Sequence, residues 1–396
     1  MHPEGLIKGL AIGAGVVVIA WYATRRWRFG PPIAPRPPSR DYLAGLNFLV
    51  NEQPDRAVEA FLRAVAIDRD TVETHFALGA LFRRRGEVDR AIRLHQNLIA
   101  RTDLDREFRE QASYALAQDY LRAGLLDRAE KLLEGLSESG PYRIAALRDL
   151  VRVYEVQHDW ERAIAVQREL VRVAHAPQPQ AAAHYHCELA EQARARGDFA
   201  TARRHLRAAR GEQRRFPRSA LVRANVALDM GEPQVAERLL RSLILGYPLL
   251  AGQALPQLRV ALTAQGRAQE LGPMLAELAQ EGSDVATQLA HAVVLGDELD
   301  TPEARDIARR YVLADPGIAE LVTALLPPGG GLDDASLKRL CAALRHQAER
   351  TPRRRCADCG FTSSSFFWQC PGCKAWDSLR PLAPHEVESP PSPRKR

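Results

Sequence analysis

From residue 41 onwards, apolar side chains recur every three or four positions, which is the spacing of one face of a helix. A pair of small residues twelve positions apart also recurs at steps of 34 or 38 residues, apart from one interval of 73 residues in which Ala163 lies 34 residues after Ala129. These pairs are Gly45 and Ala57, Gly79 and Ala91, Ala117 and Ala129, Ala190 and Ala202, and Ala224 and Ala236. Two antiparallel helices approach closely only where a small residue faces the partner helix. The pattern therefore predicts a tetratricopeptide-repeat array of about eight helix pairs over residues 41–326.

An array of this kind is all-α and forms a superhelix, whose concave groove is lined by the first helix of each pair and holds peptides or protein surfaces. Three arginines, Arg83 to Arg85, end one first helix, and Arg122 ends the next. They predict either a basic groove for an acidic partner or ordinary solvated helix ends, where cations are favourable.

The N-terminal segment has a different pattern, because residues 6–23 are almost wholly apolar. Eighteen residues of helix span about 27 Å, which is enough to cross a bilayer core. Arg25, Arg26 and Arg28 follow the apolar stretch, and arginines beside a span stay in the cytoplasm. We expect a membrane anchor over residues 1–29, with a span at about 6–23 and the bulk of the chain cytoplasmic. The alternatives are a cleaved signal peptide and a buried core helix. A proline-rich linker follows at residues 30–40.

Four cysteines near the C-terminus form the most specific chemical signal in the chain. Cys356 and Cys359 make one C-x2-C turn, and Cys370 and Cys373 make a second. Two such turns supply four thiolates to one tetrahedral ion, for which zinc and iron are the candidates. Because protein would fill all four positions, the site is expected to be structural rather than catalytic.

We call the two C-x2-C turns with their ion the metal knuckle. Five aromatic residues are expected to form a small core around it: Phe361, Phe366, Phe367, Trp368 and Trp376. A unit of residues 353–380 is too small to fold without the ion. Two other functions stay open for it. An iron knuckle could transfer electrons, and the basic run Arg353 to Arg355 could bind nucleic acid.

Two segments flank the knuckle. Residues 333–350 are predicted to form a helix that connects it to the array, with Leu337 and Cys341 on the apolar face. Residues 381–396 are rich in proline, serine and basic residues, and a disordered tail is predicted there.

Composition and charge agree with a scaffold. The chain is 46% hydrophobic and 26% charged, and its net charge of +6 is spread along its length, which does not argue for nucleic acid. No phosphate loop, nucleophile elbow or paired carboxylates stand out, so we expect no enzyme activity. His184, His186 and Cys187 are close in sequence, but residues two apart on a helix, such as His184 and His186, face different directions, so packing or exposure is expected instead of a second metal site.

The order of apolar span, tetratricopeptide array and terminal double C-x2-C resembles the lipopolysaccharide assembly protein B (LapB) family of Gram-negative bacteria. Three stretches carry the resemblance most clearly, and they cover residues 45–55, 81–101 and 116–132. The resemblance extends over essentially the whole chain.

The resemblance implies properties that the residue pattern does not. It implies a single-pass protein of the inner membrane that faces the cytoplasm, with a rubredoxin-like unit whose ligands are Cys356, Cys359, Cys370 and Cys373. The ten residues between the two turns are fewer than in true rubredoxins, which argues against a redox role. The implied function is that of an adaptor by which the membrane protease FtsH degrades the LpxC deacetylase, so that lipid A synthesis is restrained. Lipopolysaccharide synthesis and transport proteins are further implied partners, and homodimerisation stays open.

Overall fold

A computed structural model describes residues 40–61 except 52 and 54–55, residues 72–314 except 103 and 176–178, residue 319 and residues 332–382. The predicted span, most of the linker and nearly all of the predicted tail lie outside these residues. Among the described residues, none of the helices combines the length and the apolar character that crossing a bilayer requires.

Helices dominate the described chain and follow one another in consecutive pairs up to residue 314. The helices are α1 Arg40–Val50, α2 Val72–Arg84, α3 Val88–Ile99, α4 Arg106–Arg122, α5 Leu126–Ser137, α6 Arg143–Gln157, α7 Trp160–Ala174, α8 Pro179–Ala195, α9 Phe199–Glu212, α10 Pro217–Asp229, α11 Pro233–Gly246, α12 Ala251–Ala264, α13 Leu271–Leu278, α14 Ser283–Gly296, α15 Pro302–Ala314 and α16 Asp334–Arg350. Residues 56–61 are also helical, and 3-10 turns lie at Pro248–Leu250 and Ala268–Glu270.

The small residues that predicted the repeat lie at the helix contacts, as close packing requires. The alanines of the five pairs have no exposed surface: Ala57, Ala91, Ala117, Ala129, Ala190, Ala202, Ala224 and Ala236. A Cβ added to Gly79 would lie 2.4 Å from the ring of His95, so this position admits no side chain without movement. The predicted all-α tetratricopeptide architecture is confirmed.

The chain divides into two compact units, residues 1–132 and 133–396. In the first, Phe61, Leu78 and Phe82 belong to one core cluster, and the buried His95 ring meets the buried Asp119 carboxylate with Nδ1 and Oδ2 2.5 Å apart.

The second unit continues the helix pairs and ends in a small sheet. Its largest core runs from α10 to α16, and Leu337 and Cys341 of α16 are fully buried in it. Helix α16 begins with the Asp333 carboxylate accepting from the Ser336 N–H, which satisfies a free donor of the first turn.

Three short antiparallel strands follow α16, and we call residues 353–382 the ribbon. Strand β1 (Arg354–Cys356) lies between β2 (Thr362–Ser363) and β3 (Leu379–Pro381). Arg355 is opposite Thr362 on one side and Arg380 on the other. The Leu382 N–H donates to the Arg353 carbonyl, which closes the end of the sheet.

Candidate metal centre

The two C-x2-C segments fold into matching turns. The Gly360 N–H donates to the Cys356 carbonyl, and the Lys374 N–H donates to the Cys370 carbonyl. Both closing residues have left-handed backbone, with φ of 78° at Gly360 and 63° at Lys374. Glycine adopts that conformation freely, whereas lysine does so at a cost of about 1–2 kcal/mol. Each turn therefore brings its two cysteine side chains to one side, where both sulfurs can reach the same ion.

The four sulfur atoms are close enough to surround one ion. All lie within 4.8 Å of one another. The Sγ atoms of Cys356 and Cys373 are 3.6 Å apart, and those of Cys359 and Cys370 are 3.7 Å apart. A tetrahedral ion with metal–sulfur bonds of about 2.3 Å has neighbouring sulfurs about 3.8 Å apart. The four cysteines can therefore hold one metal ion, and their sulfur chemistry suits zinc and iron equally.

The pKa values of the cysteine thiols differ, and they bear on how the four sulfurs could ionise together. Burial opposes ionisation of Cys356, but the contact with Ser378 and backbone N–H groups of Cys359 and Asp358 outweigh it and lower its pKa to about 6. Burial raises the pKa of Cys370 and that of Cys373, the latter to about 12. Neighbouring thiolates repel one another, so only a bound cation would let all four ionise together.

A small apolar cluster packs around the sulfur atoms. Cys356, Cys370 and Leu379 are buried together, and Phe361 packs against them. A Cβ on Gly372 would lie 3.4 Å from the Cys359 sulfur and from Phe361 Cβ, so a side chain there would crowd a ligand.

The expectation of a five-membered aromatic core around the knuckle was wrong. Phe361 alone among them packs with the cysteines, while Phe366 and Trp368 pack against the large core of the array. Trp376 stacks on His184, and Phe367 is 39% exposed. Sequence reasoning assumed that a small unit uses its own aromatics, but here most of them join the ribbon to the helices.

His184, at the centre of this contact, is fully buried on α8. Its Nε2 is 2.9 Å from the Asp377 carboxylate, and its Nδ1 is 3.2 Å from the guanidinium of Arg218. A guanidinium only donates, so Nδ1 must accept and Nε2 must carry the proton. Burial, partly offset by Asp377, lowers the pKa of His184, in agreement with a neutral ring.

A second polar contact lies beside the first. The Glu155 carboxylate accepts from the Trp376 indole N–H at 2.8 Å and from the Tyr185 hydroxyl at 2.7 Å. Burial raises the pKa of Glu155, although these two donors act in the opposite direction. Burial also raises the pKa of Tyr185. The Tyr185 hydroxyl remains protonated at neutral pH and orients the Glu155 carboxylate, and the Trp376 indole connects that carboxylate to the ribbon.

The other candidate residues take structural places. His186 lies beside His205, with their Nδ1 atoms 3.3 Å apart, and no third metal ligand joins them among the described residues. Cys187 is buried, and burial raises its pKa to about 12. Arg83 pairs with Asp119 at 3.3 Å and Arg85 with Glu87 at 2.8 Å, so neither guanidinium is a free cation.

The fold and site define a class of protein: a tetratricopeptide-repeat array that carries a small four-cysteine ribbon. Family models match accordingly. A tetratricopeptide repeat matches residues 42–104 and 114–182, and a rubredoxin metal binding domain matches residues 355–381.

Curated relatives give the family. The lipopolysaccharide assembly protein B of Escherichia coli strain K12 is 32% identical over 352 residues, which is 87% of this chain and 90% of the relative. The protein of the same name from Haemophilus influenzae is 28% identical and covers 88% of this chain and 91% of its own length. The chain belongs to the lipopolysaccharide assembly protein B family. Among solved structures, MamA residues 41 to the end from Desulfovibrio magneticus RS-1 is similar with a TM-score of 0.33, at 18% identity, over 45% of this chain and 98% of that one.

Proposed function

We propose that this protein is a non-enzymatic adaptor of the inner membrane that restrains lipopolysaccharide synthesis. In this role it brings the LpxC deacetylase to the FtsH protease for degradation, and it gathers lipopolysaccharide synthesis and transport proteins beside them. Membership of a family whose curated relatives are named for lipopolysaccharide assembly is the observation that carries the proposal.

The architecture supports a scaffold. Helix pairs of this kind offer a long surface for protein partners. The four cysteines would fill every position of a tetrahedral ion, which leaves no coordination site for a substrate. Cys356, Cys359, Cys370 and Cys373 would then hold zinc or iron as a structural ion, whose contribution is to fold the ribbon.

The apolar segment at residues 6–23 is proposed as a single membrane span, with the array and ribbon in the cytoplasm. Tethering raises the effective concentration of the adaptor beside a membrane protease, so a weak contact is sufficient for delivery.

The test is the lifetime of the deacetylase in cells. Deleting the gene for this protein should lengthen LpxC decay in a pulse-chase, and the full chain should restore rapid decay. The variant without residues 1–28 should restore it poorly although its array still folds. Depletion of FtsH should remove the difference between strains. Unaltered LpxC decay after the deletion would refute the adaptor function.

Electron transfer by iron at the same cysteines is a second candidate, favoured by the exposure of Cys359 and Cys373. Solvent-exposed ligands would let an electron pass to a partner. Visible spectra of the purified protein before and after dithionite test this candidate, which requires a reversible colour change. A colourless protein with one zinc ion per chain would exclude it.

A further inference from the structure

The ribbon and the helices of the array enclose a cleft between them. Two cavities of about 520 and 510 Å³ follow each other along it, and both are lined by Leu249, Arg354 and Pro381. Cavities of this size hold ligands in proteins. We call the two together the junction cleft. Because Leu249 belongs to the array while Arg354 and Pro381 belong to the ribbon, neither part forms the cleft alone.

Cationic groups without carboxylate partners line one wall. In the described part of the chain, Arg354 forms no ion pair, and its guanidinium lies 5.2 Å from the ring centre of Phe366. The Nε atom of Arg353 is buried without a hydrogen-bond partner among the same residues. Two adjacent guanidinium groups held partly out of water are stabilised by an anion.

The remaining charged side chains of the cleft do not neutralise this wall. Glu298 lines the larger cavity, but its carboxylate pairs with Arg259 at 3.0 Å. The pKa of His291 is lowered by burial and by Arg353 and Arg354, so this imidazole is neutral at physiological pH. Asp377 lines the second cavity, and its carboxylate accepts from His184 Nε2 at 2.9 Å. This one negative charge offsets only one of the two guanidinium groups of Arg353 and Arg354, so the junction cleft keeps a net positive charge.

The opposite wall offers hydrogen-bond acceptors. Pro256 lies inside α12 and has no N–H, so the carbonyl of Gly252 one turn earlier lacks its helical partner. Gly252, Gln253 and Pro256 all line the larger cavity. The Gln253 side-chain oxygen is buried and has no partner among the described residues. Acceptors of this kind require N–H donors from a ligand.

Apolar side chains line the second cavity. Leu249 is 53% exposed and Phe367 is 39% exposed, and Phe366 and Trp368 lie beside them. Large exposed apolar side chains that cluster in a concave site are typical of protein contacts.

We propose that the junction cleft binds an extended acidic peptide segment of a partner protein, with a carboxylate on Arg354 and an apolar side chain between Leu249 and Phe367. An extended backbone supplies the N–H donors that the Gly252 and Gln253 acceptors lack, whereas a phosphate or a lipid headgroup phosphate supplies acceptors only. The inference rests on the proposed adaptor function, for which it names the docking surface and the chemistry of the partner segment.

Binding to the full chain in detergent tests the proposal. The probes are two pools of fluorescein-labelled octapeptides, one that alternates Asp or Glu with Leu or Phe, and one with Lys in place of every acid. Fluorescence anisotropy should show saturable binding of the acidic pool and at least tenfold weaker binding of the basic pool. No saturation by the acidic pool up to ~1 mM, or equal binding of both pools, would overturn the proposal.

Matched variants assign the binding to the cleft. Arg354→Gln and Leu249→Ser should each weaken binding of the acidic pool about tenfold. Arg355→Gln, on the same strand, and Val260→Ser, an exposed residue of α12, should not, because neither side chain lines the cleft. Equal loss in these controls would contradict the assignment.

Pro256→Ala separates binding from folding. An N–H at position 256 gives the Gly252 carbonyl its helical partner, so the helix should become more stable while peptide binding weakens. Unchanged binding in this variant would remove the acceptor wall from the proposal.

Competition distinguishes other occupants. Displacement of the peptide by inorganic phosphate, by vesicles of phosphatidylglycerol or by a single-stranded oligonucleotide at lower concentration than unlabelled acidic peptide would overturn the proposal in favour of that ligand. Loss of self-association in Leu249→Ser, measured by sedimentation, would show that a second copy occupies the cleft and would likewise overturn it. Normal LpxC decay in cells with Arg354→Gln would overturn the peptide-binding proposal for the junction cleft and leave the adaptor function standing. The adaptor function fails only if deletion of the gene leaves LpxC decay unaltered.

Discussion

The indole of Trp376 lies flat against the imidazole of His184, with ring centroids 4.3 Å apart and planes inclined by 22°. Trp376 follows the last cysteine of the ribbon by three residues, and His184 is buried on α8. This stack, with the Glu155 and Asp377 hydrogen bonds beside it, fixes the ribbon to the array. The position of the candidate metal centre relative to the helices of the second unit therefore depends on a few side chains.

Truncation of Trp376 tests that dependence. Trp376→Ala removes the stack and one donor to buried Glu155, so the free energy of unfolding should fall by about 2–3 kcal/mol. Trp376→Phe keeps an aromatic ring but loses the N–H donor, so the free energy of unfolding should fall by about 1 kcal/mol. Urea unfolding of the three proteins measures both changes. Phe367→Ala is the control, because Phe367 is exposed and should cost under about 1 kcal/mol; equal losses at positions 367 and 376 would contradict the docking role.

The metal centre makes a separate prediction. The purified chain should contain one zinc or iron ion, and Cys356→Ser or Cys370→Ser should lose it, because three sulfurs hold such an ion poorly. The ribbon should then become sensitive to protease. Elemental analysis and limited proteolysis follow the two effects. Cys187→Ala is the matched control: its thiol is buried in a different cluster, and metal content should be unchanged.

Lys374 and Gly360 occupy equivalent turn positions, which allows a paired test. Lys374→Gly relieves left-handed strain and should stabilise the ribbon by about 1 kcal/mol, while Gly360→Ala introduces that strain and should cost about 1–2 kcal/mol. Thermal unfolding followed by tryptophan fluorescence distinguishes the signs. A loss of stability in Lys374→Gly would mean that the lysine side chain stabilises the ribbon by more than its left-handed backbone costs.

Two glycines inside helices should respond oppositely to alanine. A Cβ at Gly79 meets the His95 ring at 2.4 Å, so Gly79→Ala should destabilise the first unit by about 1–3 kcal/mol. Gly135 of α5 has nothing within 4 Å of such a Cβ, so Gly135→Ala should stabilise by about 0.5–1 kcal/mol through helix propensity. Urea midpoints report both, and a common sign would refute the close-packing argument at Gly79.

Acid should loosen the ribbon through His184. Its pKa is lowered by burial, so the docked state binds the proton less readily than the undocked state, and docking weakens as the pH falls below the ordinary value of 6.5. A protonated ring could no longer accept from Arg218. Glu155 acts oppositely, because its raised pKa favours the docked form as acid protonates it.

Amide hydrogen exchange of residues 376–381, compared between pH 7.5 and pH 5.5 after correction for intrinsic rates, measures this effect. Exchange should accelerate at the lower pH in the native chain. In His184→Gln, which cannot titrate, the acceleration should be much smaller. An equal pH response in both proteins would assign the effect to other groups.

The 34-residue recurrence of small residues predicted the helix pairs, because burying an alanine against a partner helix leaves a local and periodic trace. The two C-x2-C motifs predicted the sulfur cluster for the same reason: each turn is closed within five residues, and only the meeting of the two turns required folding.

The tertiary structure alone decided what the aromatics and polar residues of the ribbon do. Trp376 and Asp377 contact His184, and Arg354 and Leu249 line the same junction cleft, although each pair is separated by over a hundred residues of chain. No periodicity connects such positions. In the sequence, the His184 and Trp376 side chains are each explained by packing within their own segment. Only the fold places their rings against each other. The cleft between ribbon and array is therefore visible only in three dimensions.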